Sequence, residues 1–284
     1  MLEIILCVVL VVYSFIIILL LVWALLNSVR TRGEFVEDVF GFPKVWAFSN
    51  YVSALNNFYV RISTETMQRN VYLYEMFLNS LLYAGGGALV ATTVQCFMAY
   101  AVQRFSHYKL SSVLTWTVII TMILPIVGNL PSKLQIMHTL HLYDSFIGVY
   151  LMQASFLGMH FLIFKAAFAV IPTSFADAAK IDGAGNFSVL FRIMLPLVKN
   201  TFFILALLMF ITLWNDYQGP MVYLPNSPTV AYGLYTFNQA VTSELNSIPM
   251  RLAGCMLLFI PIFVIFLILH DKMMGNLTIG GLKG

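Results

Sequence analysis

The chain has 284 residues, of which 60% are hydrophobic and only 10% charged, a composition outside the range of soluble domains. A net charge of +3 gives no strongly basic footprint, so no nucleic acid is expected as a partner. The cysteines, Cys7, Cys96 and Cys255, are odd in number and lie in apolar runs, which argues against a disulfide framework and reads them as small packing residues.

Several apolar runs reach or approach the roughly 20 residues that a spanning helix needs. They predict six transmembrane helices, at about residues 4–26, 78–101, 112–130, 145–168, 200–219 and 252–270. The first carries no charge from Ile4 to Leu26. No basic residue precedes it and no small-residue cleavage site follows it, so it reads as a retained anchor and not a signal peptide. Residues 27–77 then form a long extracytoplasmic loop. Its aromatics, Phe40, Phe42, Trp46, Phe48 and Tyr51, suit either an interfacial belt or the docking of a partner.

In the second helix, Gly85-Gly86-Gly87 lies in a bilayer segment, where small residues let helices approach closely. His138 and His141 follow the third helix without a carboxylate to complete a metal site, so no metal is expected. His160 in the fourth reads as a hydrogen-bonded helix residue and not as a proton relay. Lys165 sits near one end of that helix and Asp216 near the outer end of the fifth. An ion-coupled carrier places ionisable groups near the midplane, and the predicted helix centres hold almost none. The phosphate-binding pattern G-x-x-x-x-G-K-[ST] is absent, as are H-E-x-x-H and G-x-S-x-G. No catalytic residue is therefore expected, and any ATP and Mg would be bound by another chain.

One polar cassette interrupts the apolar pattern, in the loop at 171–198. Pro172 stops the fourth helix, and Ser174 with Asp177 three residues on is a capping-box variant that starts a short helix. Ala178 and Ala179 favour that helix, Gly183 and Gly185 end it, and Asn186 or Ser188 is placed to cap the next. Pro196 is predicted to break or kink the chain as it re-enters the membrane. The exposed face around Ala178 and Ala179, edged by Asp177 and Asp182, would be small and smooth enough to enter a partner's groove. An ordinary interfacial connector is the other reading.

Six helices put both termini on one side. The basic residues Arg104, Lys109, Lys180, Arg192, Lys199, Lys272 and Lys283 would share it, against Lys133 and Arg251 in the short loops opposite. The positive-inside rule then makes that side cytoplasmic. The first loop carries Arg30, Arg32, Lys44, Arg61 and Arg69, but its length and acids dilute them.

Asp177-Ala178-Ala179, Asp182-Gly183-Ala184 and Ile193-x-Leu195-Pro196 stand at the spacing of the EAA loop in permease subunits of bacterial ATP-driven importers. Asp177 replaces the usual Glu, and Asn200 stands where a second proline is common. Asn79-Ser80, Ala99-Tyr100-Ala101 with Arg104-Phe105, Pro125 and Pro131, Trp214-Asn215-Asp216 and the ending Leu277 to Gly284 also resemble the carbohydrate branch. The resemblance is to the shorter permease of the maltose-transporter type, and only residues 27–77 lack a specific match.

The resemblance implies an all-α polytopic permease, residues 1–284 forming one transmembrane domain with a cytoplasmic coupling helix, in a bacterial inner membrane. It implies a second homologous permease, two ATPase subunits, an extracytoplasmic solute-binding protein and membrane lipid as partners. Asp177, Ala178, Ala179, Asp182, Gly183 and Ala184 would be the ATPase-coupling surface, and Thr278 to Lys283 a further contact. Loop residues 218–235, stiffened by Pro220, Pro225 and Pro228, would reach the binding protein. Trp214, Asn215 and Asp216 have the chemistry to line a sugar pathway or to pack an outer gate. The cargo would be a sugar or oligosaccharide. A glycerol phosphodiester, a polyol or a peptide in the same machine is the alternative, followed by an ion-coupled carrier and a membrane anchor for an unrelated complex.

Overall fold

A computed structural model describes residues 2–64, 67–124, 128–239 and 247–274. In chain order these form α1 (Leu2–Ser28), α2 (Arg32–Glu37), α3 (Ser49–Asn57), β1 (Tyr59–Thr64), β2 (Met67–Tyr72) and α4 (Leu73–Ser80). A π-helical stretch, Leu81–Gly86, joins α4 to α5 (Gly87–Arg104), which is followed by α6 (Lys109–Ile123), α7 (Leu130–Thr139), α8 (Phe146–Gln153) and α9 (Met159–Ala169). Then come α10 (Ser174–Ile181), α11 (Asn186–Val189), a second π-helical turn at Leu190–Met194, α12 (Leu195–Trp214), α13 (Gln218–Tyr223), α14 (Val230–Gln239) and α15 (Ile248–Met274).

Among the described residues, four helical stretches are long and apolar enough to cross a membrane: Glu3–Ser28, Leu73–Arg104, Asn186–Trp214 and Ile248–Ile268. They match the first, second, fifth and sixth predicted spans. The third and fourth differ from the expectation. α6 has only 15 residues and stops at Leu124, which is already extended at φ −77° and ψ 121°. Leu124 precedes Pro125, and the residue before a proline is driven out of the helical region. The fourth span is split into α8 and α9 by residues 154–158, and Gly158 takes φ 141°, a conformation that side chains other than glycine's rarely adopt.

Residues up to Phe77, with Pro228–Leu267, form one compact unit. The predicted loop 27–77 is ordered here by α2, α3 and the antiparallel pair β1–β2, strands that the sequence reading did not foresee. The hairpin is two-faced, as alternation demands. Val60, Ile62 and Val71 turn inward onto Phe58, Leu73, Met76, Val230 and Leu234. Gly233 lies where any Cβ would strike the Met76 sulfur. Arg30 is buried, its guanidinium donating to Asn27 Oδ1 at 2.9 Å and the Glu34 carbonyl at 2.8 Å, so it is not a free surface charge. Tyr51 shares a 2.7 Å hydrogen bond with Ser28, whereas Phe40, Phe42, Trp46 and Phe48 are exposed.

Leu78–Ser227 carry the second unit. Its core is built where α5, α9 and α12 meet, around Cys96, Ala99, Phe161, Phe164, Val198 and Leu205. Two of the three glycines work by close approach, as expected, whereas nothing lies within 4 Å of a Cβ at Gly85. A Cβ on Gly86 would overlap the Tyr150 ring of α8, and one on Gly87 would sit 2.8 Å from Leu213 of α12. Cys96 is buried and Cys255 half-buried, but Cys7 is exposed on α1, so the packing role does not extend to it.

Candidate functional site

α9 and α10 meet at a 70° bend over residues 170–173, which turns the short polar helix away from the apolar one. α10 spans Ser174–Ile181, with Thr173 at its N-cap and no side-chain cap bond. The predicted capping box is therefore corrected: Ser174 is already helical. The Asp177 carboxylate turns to Arg104 at the end of α5, 2.8 Å away. The carboxylate that a capping box would turn back to the Ser174 N–H is held by Arg104 instead.

The end of α10 follows from glycine stereochemistry. Gly183 has φ 82°, its N–H donates to the Lys180 carbonyl at 3.0 Å, and the Ala184 N–H donates to the Ala179 carbonyl at 2.9 Å. This pair of bonds is the Schellman closure, which satisfies carbonyls that a helix end leaves free. Gly185, not Asn186 or Ser188, is the N-cap of α11. Pro196 does not break the chain. It lies in the first turn of α12, and the π-helical turn at Leu190–Met194 precedes it in a helix continuous from Asn186 to Trp214. A wider turn makes room where proline lacks an N–H and its ring crowds the preceding carbonyl.

The cassette has an inner and an outer side. Ala176 is fully buried, and Ala179 and Ala184 pack half-buried against the core that includes Val189, Leu190 and Met194. The outer side presents Asp177, Ala178, Asp182 and Gly183. It is less smooth than expected: Ile181 is 86% exposed and Phe187 79%. An isolated Ile in a polar run was the available signal for the first of these. Nothing local pointed to Arg104 as the partner of Asp177, since the two are 73 residues apart in sequence.

The second predicted cluster follows the end of α12. Trp214 is buried and its ring lies 5.4 Å from that of Phe210. Asn215 turns its amide back to the Ile211 carbonyl at 2.8 Å. Asp216 accepts from the Tyr83 hydroxyl at 2.6 Å and from the Gly219 N–H at 3.0 Å. Its carboxylate thus ties α12 and α13 to the π-helical stretch before α5. A Cβ at Gly219 would collide with both the Tyr83 hydroxyl and Asp216. Burial and the Asp216 carboxylate push the Tyr223 phenol above its usual range. We expect Tyr83→Phe and Asp216→Asn each to cost about 1.5–3 kcal/mol of stability, the worth of a hydrogen bond to a charged group. The double variant should lose no more than the larger single, because both remove one interaction. Thermal unfolding of the purified chain reads this directly.

Asp144 is a further polar anchor that the sequence did not reveal. It accepts from the Asn226 side chain at 2.6 Å and main chain at 3.2 Å, fixing the turn before α8 to the loop after α13. The His138 ring stacks on Tyr143 at 4.1 Å, and His141 takes the left-handed conformation of a tight turn. Pro125 and the tail from Leu277 to Gly284, including the expected contact at Thr278 to Lys283, lie outside the described residues.

The family described as the binding-protein-dependent transport system inner membrane component matches residues 91–277, from α5 through the cassette to the last helix. The chain belongs to this family. Among curated relatives of this inner membrane component is the arabinooligosaccharides transport system permease protein AraQ of Bacillus subtilis. The two are 26% identical, with 92% of this chain and 88% of the relative covered. The probable starch degradation products transport system permease protein AmyC of Thermoanaerobacterium thermosulfurigenes is also 26% identical, over 91% of this chain and 89% of its own. A solved bacterial ABC transporter involved in the import of the acidic polysaccharide alginate contains a chain of the same fold. It superposes with a TM-score of 0.74 at 22% identity, covering 95% of each chain. The inner membrane component described here is thus a multi-helix membrane permease, and its family works with a solute-binding protein.

Proposed function

We propose that the chain is the membrane-spanning subunit of an ATP-driven importer for a sugar or oligosaccharide, driven through α10 by a separate ATPase. The observation that carries the coupling role is the cassette itself. It is a short helix, closed at Gly183, turned 70° from α9 and exposing Ala178 and Ile181, inside the segment matched to the transport family. The relatives named for arabinooligosaccharides and starch degradation products support the cargo.

The mechanism follows from how α10 is held. Arg104 joins it to the end of α5, and Ala176 seats it on the core shared with α9 and α12. A push on Ala178 and Ile181 therefore moves three helices of the second unit together. Two ATPase subunits bind ATP and Mg and supply that push. A second homologous permease completes the pathway, and a binding protein delivers solute outside. Basic residues around Arg104, Lys180, Arg192 and Lys199 support a cytoplasmic cassette, with both termini on the same side. Asp216 stabilises the outer end of α12 and Trp214 packs there, while Asn215 stays exposed, where it would meet a solute.

The test is a pull-down of the full chain from its native membrane in mild detergent, with mass spectrometry of what accompanies it. A second multi-span permease and a nucleotide-binding ATPase are expected. Recovery of the chain alone, with ion-driven transport in liposomes, would replace this reading with a secondary carrier.

A further inference from the structure

We infer that the groove between α5 and α12 holds an acyl chain of an anionic glycerophospholipid, whose phosphate rests on Lys199 and Arg192. The groove encloses about 520 Å³ and is lined chiefly by Phe97, Phe191, Leu195, Phe202 and Phe203, with Lys199 at its edge. Its shape has a local cause. Pro196 lines it, directly after the π-helical turn that widens the helix at Leu190–Met194.

The charges identify the occupant. Lys199 and Arg192 are exposed, and neither has a hydrogen bond or ion pair with a described residue, whereas Arg104 and Lys165 are engaged by Asp177 and Thr115. Both stand on the helix continuous from Asn186 to Trp214, where Lys199 lines the groove and Arg192 directly follows Phe191, which lines it too. No acid occurs between Gly183 and Asn215, nor between Met76 and Arg104, so neither wall of the groove compensates them. A free inorganic anion would leave the aromatic lining unused, and an apolar helix would leave two cations unpaired. An amphiphile with an anionic head satisfies both. The cations lie on the cassette side, and Phe202 and Phe203 lead into the uncharged stretch of α12, so head and tail are ordered along the groove as in a bilayer leaflet. Basic pockets between membrane helices hold anionic lipid heads by this chemistry.

The full chain, purified in detergent, is titrated with phosphatidylglycerol and with phosphatidylcholine and examined by native mass spectrometry. One phosphatidylglycerol is expected to be retained in preference to phosphatidylcholine. Lys199→Gln and Arg192→Gln should each weaken it about fivefold, the effect of one basic residue at an anionic head. Phe203→Ala, at a position 65% exposed and therefore mild for folding, should weaken both lipids alike. Lys109→Gln, an exposed cation outside the groove, should change neither. Equal retention of the two lipids, or an equal loss with Lys109→Gln, overturns the site. So does a photo-cross-linker at position 203 that captures a protein chain in native membranes instead of lipid.

Discussion

Asp177→Lys is expected to lower ATP-driven uptake by the reconstituted complex roughly 5–150-fold, the range of a coupling free energy of about 1–3 kcal/mol. The chain should still insert in the membrane in normal amount. The Arg104 side chain is 19% exposed and that of Asp177 55%, so solvent screens the pair from the Asp177 side and its contribution to stability is modest. Its value lies in holding α10 at one angle to α5. Lysine at 177 sets two cations against each other and reverses the charge that the proposed ATPase partner would meet. The swap Arg104→Asp with Asp177→Arg separates these effects. It restores the pair inside the chain but presents the opposite sign to the partner. We expect the swap to stay inactive. Recovery of uptake in the swap would show that the internal bond alone matters and that the ATPase does not read the Asp177 charge.

Gly183→Val is expected to produce a similar loss, for a conformational and not a steric reason. No atom lies within 4 Å of a Cβ built at Gly183, so space is not limiting. Its φ of 82° is the obstacle. A side chain in the left-handed region costs about 1–2 kcal/mol, and a branched one fits worst. The chain escapes by opening the bonds from Gly183 and Ala184 to the last turn of α10, which loosens Ile181 and Asp182. Gly183→Asn tests this directly, because asparagine tolerates the left-handed region. It should retain most of the uptake. Equal loss in Val and Asn variants would point to a need for a bare surface at 183, and not to the turn.

Much of this was legible in the residues. The apolar runs located four of the spans, three of them to within about five residues at each end, while the fifth begins at Asn186 and stops at Trp214, earlier at both ends than the expected 200–219. The cassette was legible because Pro172 and Gly183 impose backbone geometry locally. The misread elements have equally local causes that hydropathy does not weigh. Leu124 and Gly158 are both apolar, yet Leu124 closes α6 because it precedes a proline, and Gly158 holds a positive φ immediately before α9 begins, so the apolar run is interrupted at both places. The hairpin at residues 59–72 went unseen because its inward residues, Val60, Ile62 and Val71, are few and set among charges.

The sequence by itself determined that this protein spans a membrane, that it carries one polar cassette between two apolar helices, and where that cassette turns. Those properties depend on composition and on the backbone limits of single residues. Only the tertiary structure decided what the polar side chains do. Asp177 meets Arg104 across 73 residues of chain, Asp216 meets Tyr83 across 133, and Asn226 meets Asp144 across 82. A polar group in an apolar setting must find a partner. Which one it finds depends on the helices that packing brings together, and no local pattern records that.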